Sequence, residues 1–267
     1  MTYFPVFRIY PRLTLAGAMA LTANLAVADP PFGDTAGTVF DIITATDPTA
    51  FVCLEPNGQA ERQIWDKRVD SEPLVQAHLF IARYSDGATI EIGVNPEFDA
   101  EAARALADRF AIPLGQLPTS LRAGIERFSI HAGNEGFHAG TGQIVVYTEM
   151  ADQRASYAHL EESLFHESVH ASWDEAHRLS VGWQAAQAAD GGFLTNYGAE
   201  SPDREDLAET ALFAFAILHY PNRFPPVDTA DTVQAVPNRI AYIAGLLPVG
   251  QPLIVPLDIA PTCMTSG

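Results

Sequence analysis

Positive charge is scarce in this chain. Lysine and arginine together number 15 against 33 aspartates and glutamates, a formal net charge of −18 at pH 7. Nucleic acid and anionic lipid surfaces both select basic patches, so neither is an expected partner. Cysteine is scarcer still: only Cys53 and Cys263 are present, near the two ends of the chain. Their wide separation argues against a zinc site built from thiolates. Two arrangements stay open for them, a bridge tying the ends together in an oxidising compartment and a pair of free buried thiols. Long apolar runs are missing too, apart from residues 13–26. That run follows Arg8 and Arg12 and ends at Ala26-Val27-Ala28, the pattern of a signal peptide over residues 1–28 cleaved after Ala28. It is short and alanine-rich, so a cleaved leader is expected in preference to a retained anchor. The expected product is exported, periplasmic or extracellular, with no stable membrane insertion. Internal repeats and long low-complexity linkers are also lacking. The roughly 240 residues after the leader therefore suit a single domain, 29–267.

What is present is concentrated in Phe165-His166-Glu167-Ser168-Val169-His170, an H-E-x-x-H pattern. Positions four apart share a helix face, so His166 and His170 can offer ring nitrogens to one metal ion. Glu167 sits at the edge of that face, where a carboxylate could take a proton from an activated water. Leu160, Leu164 and Ala171 on one flank, with Phe165, Val169 and Ala176 on the other, predict a buried helix around the pair. Ser156 is the expected N-cap and Glu161 and Glu162 suit the early turns. A surface helix with two solvated histidines is the bland alternative.

A catalytic zinc site needs a third protein ligand. The metzincin continuation would place Gly at 173 and His at 176, and the chain has Trp173 and Ala176 instead. That subclass is excluded. Asp174, one turn after His170, suits a hydrogen bond to the outer nitrogen of that ring, with solvated surface charge as its alternative. The better candidates for the third ligand lie in Ser201-Pro202-Asp203-Arg204-Glu205-Asp206-Leu207-Ala208-Glu209. Ser201 reads as an N-cap and Pro202 as the first helical residue. Glu205 and Glu209, again four apart, then stand at the mouth of an apolar helix through Leu218. Two carboxylates there are costly to bury unless paired or bound to a metal.

These motifs resemble the gluzincin branch of the zincin metallopeptidases, in which H-E-x-x-H is completed by a glutamate on a second helix. By position the resemblance implies Glu205 as third ligand, Glu209 as the acid supporting a ligating histidine, and one Zn2+ ion held by His166, His170 and Glu205. The layout, L-x-E-x-L-x-H-E-x-x-H-x-x-x-D followed by Y-x-x-x-x-P-x-x-E-D-x-A-E, is also similar to a group of uncharacterised secreted bacterial proteins classed with the zinc metallopeptidases by motif alone, over most of the chain after the leader and with no assigned substrate. Some gluzincins carry a tyrosine before the third ligand that steadies the oxyanion; Tyr197 matches loosely, and a packed core tyrosine is the alternative.

The rest reads as scaffold. Strands are expected at 39–43, 51–54, 79–84, 89–94 and 125–131, with Ser85-Asp86-Gly87 as a hairpin turn, and a helix over 99–110 ends before Pro113. The glycine-rich stretch 132–142 leads into a strand at 143–148, so a phosphate loop is disfavoured. That strand is expected to lie at the sheet edge and to pair with extended substrate. His131 and His138 are read as ordinary polar residues in preference to a second metal site. A short helix over 183–189 stopped by Gly191-Gly192, a last helix over 237–247 and an extended proline-rich tail complete the chain.

The expected fold is α+β and zincin-like: a small N-terminal mixed sheet (β-rich 39–148), an active-site helix and a mostly helical C-terminal half (156–250). The expected activity is that of a zinc metallopeptidase acting on a peptide or protein substrate, with Glu167 as general base. Two other classes stay open, a non-proteolytic zinc protein that binds a partner in its cleft and a metal-free interaction domain.

Overall fold

The computed structural model describes residues 1, 29–38, 41–259 and 261–263. The expected signal peptide therefore lies outside the described residues apart from Met1. Alternating β-branched and aromatic residues build one six-stranded mixed sheet in the order β1-β2-β3-β4-β6-β5. β1 (Phe51–Gln63), β2 (Leu74–Tyr84) and β3 (Thr89–Val94) form an antiparallel meander. β4 (Arg127–His131) and β6 (Gln143–Tyr147) continue it in parallel, and β5 (His138–Gly140) closes the edge antiparallel to β6. The period of two sorts the side chains by face: Ile144 and Val146 enter the main core, whereas Val145 and Tyr147 join a smaller cluster on the other side.

The helices of the first half cover the main-core face. Asp99 caps α1 (Ala100–Gln116) by accepting from Ala102 N at 2.8 Å. This helix runs through Pro113 where an end before it was expected. Its last carbonyls are served from outside: the buried Arg122 donates to Gly115 O (2.9 Å) and Leu117 O, and the Thr49 hydroxyl donates to Ile112 O (2.9 Å). α2 (Thr119–Arg122) and α3 (Thr148–Ser156) are short.

α4 (Leu160–Ser172) carries the histidines and packs against α1 and against α7 (Asp206–His219). Ser156 is not its cap, because it closes α3; Ala158 takes a left-handed backbone (φ 52°) and the chain re-enters helix after His159. A π-helical turn, Asp174–Arg178, follows, and then α5 (Val181–Asp190), capped by Ser180 and ended at Gly191 (φ 71°). α6 is Asn196–Glu200 and α7 is Asp206–His219. α7 begins later than expected, since Ser201 ends α6 and Glu205 is the N-cap. Leu207 through Ala216 are all buried, and the apolar run 211–218 is buried as far as Ala216, with Ile217 and Leu218 half-buried. α8 (Pro226–Ala235) and α9 (Pro237–Leu246) finish the helical half, and Asp190 caps α9 by accepting from Asn238 N (2.8 Å) and Arg239 N (3.1 Å).

Several expectations in the sheet change. Residues 41–43 form no strand, and 39–40 lie outside the described residues; the N–H groups of Ile42 and Ile43 donate to the Glu162 carboxylate (2.6 and 2.8 Å) instead of to a neighbouring strand. The strands at 51–54 and 79–84 are parts of longer ones, the start of β1 and the end of β2. The strand at 143–148 is not the edge: the glycine-rich stretch folds back as β5, with Gly142 (φ 74°) in the turn, and takes that place. Cys53 and Cys263 form a disulfide that ties the irregular C-terminal tail to β1. No helix among the described residues is long and apolar enough to cross a membrane.

Candidate metal centre

α4 and α7 meet through apolar flanks, with the Phe165 and Phe215 rings tilted against each other at 4.6 Å between centroids. That packing brings the polar edge of each element to the same point. His170 Nε2 lies 3.2 Å from His166 Nε2 and 3.1 Å from Glu205 Oε2, and His166 Nε2 lies 3.5 Å from the same oxygen. Ligand atoms about 2.0–2.1 Å from a tetrahedral ion stand roughly 3.3 Å apart, so this triangle has the dimensions of three corners of such a site. Among the described residues, these three form the one group of three or more side chains placed to hold a metal ion.

The outward ring nitrogens are already engaged. His170 Nδ1 meets Asp174 Oδ2 at 3.0 Å, and His166 Nδ1 meets Glu209 Oε1 at 3.3 Å. A carboxylate only accepts, so in a neutral ring His170 Nδ1 carries the hydrogen and its Nε2 lone pair faces inward; His166 Nδ1 also has the Thr35 hydroxyl oxygen at 3.2 Å, and its Nε2 faces the same point. With both Nε2 atoms unprotonated, two lone pairs and a carboxylate oxygen this close repel one another, a demand that a metal cation or a proton between them can meet. The titration behaviour expresses the same demand. Burial works against charge on His170, yet the Asp174 and Glu205 carboxylates outweigh it and push the ring up to about 10. Burial likewise raises Glu205, but the two imidazoles hold it well below the usual carboxylate range. The donor set fits a divalent metal ion.

The open side of the triangle faces a cavity of about 310 Å³. Glu167, half-buried on α4, lines it, as does Tyr197 from α6. Tyr197 is 42% exposed, so the packed core tyrosine is not what the fold contains. Partial burial, with the negative charge of Glu205, pushes its hydroxyl up to about 12, which keeps it a hydrogen-bond donor at neutral pH. Residues Gly136 to Ala139, from the approach to β5 and the strand itself, form another wall, braced by Lys67 Nζ donating to Gly136 O and Phe137 O, both at 2.9 Å. A second cavity, of about 450 Å³, follows β5 onward through Gly140 and Thr141 and shares Ala139, His170 and Arg204 with the first.

Every site residue expected from the sequence thus borders this centre. His131 does not: it is buried elsewhere, with Nδ1 on Asn95 (2.9 Å) and Nε2 on Trp65 O (3.1 Å). His138 lines the cavity without joining the cluster. Thr35 was missed. Its backbone N–H donates to Glu209 Oε2 (2.9 Å) and its hydroxyl to Glu209 Oε1 (2.7 Å), across 174 positions of chain. Comparison with protein-family models, curated proteins and solved structures finds no match.

Proposed function

We propose that the chain is an exported zinc-dependent peptidase of zincin-like, gluzincin-type architecture. The observation that carries this reading is the inward triangle of His166, His170 and Glu205, its outer nitrogens already bonded and its open side on a cavity that also holds Glu167. A purely structural zinc site closes with four protein ligands and needs no base, whereas this one leaves a position open beside a free carboxylate.

Zinc bound here would supply Lewis acidity, bringing the pKa of a coordinated water toward about 7. The remaining roles fall to the chain. Glu167 takes a proton from the attacking water and delivers it to the departing amine, as its place on the cavity wall allows. Tyr197, kept protonated, donates to the oxyanion. β5 has β6 on one side only, and its free edge offers backbone groups for pairing with extended substrate. Cys53–Cys263 supports residence in an oxidising compartment.

The test is elemental analysis paired with a peptide library. One zinc per chain is expected, with cleavage lost both on chelation and in Glu167→Gln, which retains its metal. Wild-type turnover by zinc-loaded Glu167→Gln overturns the assigned base. Stoichiometric zinc with no cleavage of any peptide selects the partner-binding reading, and no zinc at all selects the metal-free one.

A further inference from the structure

The segment Phe32 to Thr38 runs along the cavity wall far in sequence from either ligand-bearing element. It is fastened on both sides. Phe32 N donates to Leu194 O (3.3 Å), while Asn196 N and Tyr197 N donate to Phe32 O (2.9 Å) and Gly33 O (3.0 Å). Arg154 donates to Ala36 O at 3.0 Å, and the Thr38 hydroxyl turns back onto Thr35 O. These bonds hold Thr35, only 4% exposed, against Glu209 and His166.

Proton accounting at Thr35 is restrictive. A hydroxyl has one hydrogen, and the shortest contact, 2.7 Å to Glu209 Oε1, takes it because a carboxylate can only accept. The Thr35 oxygen is then solely an acceptor toward His166 Nδ1, 3.2 Å away. His166 Nδ1 must therefore be the protonated nitrogen, donating to Thr35 Oγ1 with the Glu209 carboxylate 3.3 Å away as its ionic neighbour, which turns the Nε2 lone pair toward Glu205 and His170. The same residue also satisfies the other Glu209 oxygen through its N–H, so a carboxylate 1% exposed has both oxygens bonded from one position.

We propose that Thr35 is a positioning residue of the metal centre: through one hydroxyl it fixes the His166 tautomer and orients Glu209, making the 32–38 segment a working part of the site. The inference rests on the metal reading of the cluster and not on peptidase activity. Removing a group that orients a ligating histidine ordinarily costs about 10–100-fold in metal affinity.

The experiment measures zinc affinity by chelator competition, and the visible spectrum of the cobalt-substituted protein, for wild type, Thr35→Val and Thr35→Ser. Thr35→Val should bind zinc about 10–100-fold more weakly with an altered cobalt spectrum. Thr35→Ser, which keeps the hydroxyl, should restore both. Thermal unfolding in chelator separates a packing role, which would lower apo stability and leave affinity and spectrum unmoved. If Thr35→Val does not fold, Thr35→Ala makes the same comparison without placing a methyl group against the carboxylate. Wild-type zinc affinity in the hydroxyl-less variant overturns the proposal, as does a Thr35→Ser protein as weak as the valine variant. A wild-type chain that binds no zinc overturns the metal reading itself, a distinct result.

Discussion

Glu162 is fully buried on α4, one turn before His166, and its protonation can be read in the stability of the fold. Its Oε1 accepts from Ile42 N and Ile43 N, while Oε2 has no hydrogen-bond partner among the described residues and lies 3.9 Å from His159 Nδ1. Burial outweighs the two N–H donors and raises the carboxyl from 4.5 to about 7. A group with a raised folded-state value contributes its stability in full below the unfolded value and loses it as pH rises through the folded one. The window is therefore about pH 4.5 to 7, and the shift corresponds to about 3 kcal/mol. His159 works in the opposite sense. Burial lowers it to about 4, so its contribution is present above the unfolded value near 6.5 and fades as pH falls toward 4. The two slopes offset each other in the wild type, and the difference between variants isolates Glu162. Glu162→Gln keeps a carbonyl oxygen for Ile42 and Ile43 and cannot ionise. In urea unfolding it should match wild type near pH 4.5 and become more stable by about 3 kcal/mol at pH 8. Parallel stability curves for the two proteins across that range would refute an un-ionised, desolvated Glu162.

Three further outcomes are expected. Asp174→Asn weakens the charge-assisted bond to His170 Nδ1 and should lower zinc affinity about 10–100-fold, measured against a competing chelator. Arg239→Ala strands Asp190 and Asp206, all three side chains being essentially inaccessible to solvent, and should cost about 3–5 kcal/mol in denaturant unfolding. Replacing Cys53 and Cys263 together by serine should cost about 2–4 kcal/mol in the apo protein while leaving zinc stoichiometry unchanged, because neither cysteine lines the cavity.

Local pattern accounts for much of the centre. His166 and His170 face one way because four residues make about one helical turn, and Asp174 reaches His170 by the same spacing one turn later. The hairpin between β2 and β3 and the stop of α5 at Gly191 follow from turn chemistry that acts over a few residues. Boundaries set by packing were less legible. Ser156 and Ser201 carry good capping side chains, yet Ala158 interrupts one helix and the turns before Glu205 delay the other. β5 has three residues in a glycine-rich stretch, too short to display a strand period, and exists because the exposed edge of β6 was free to take it.

Sequence by itself determined which residue types could form a metal centre and that two imidazoles would share a helix face, since both follow from composition and a fixed helical repeat. Tertiary structure alone decided that Glu205 meets those rings, that β5 borders the cleft, and that Thr35 reaches Glu209 from 174 positions away. Contacts of that kind depend on how distant elements pack, and no short-range spacing encodes them.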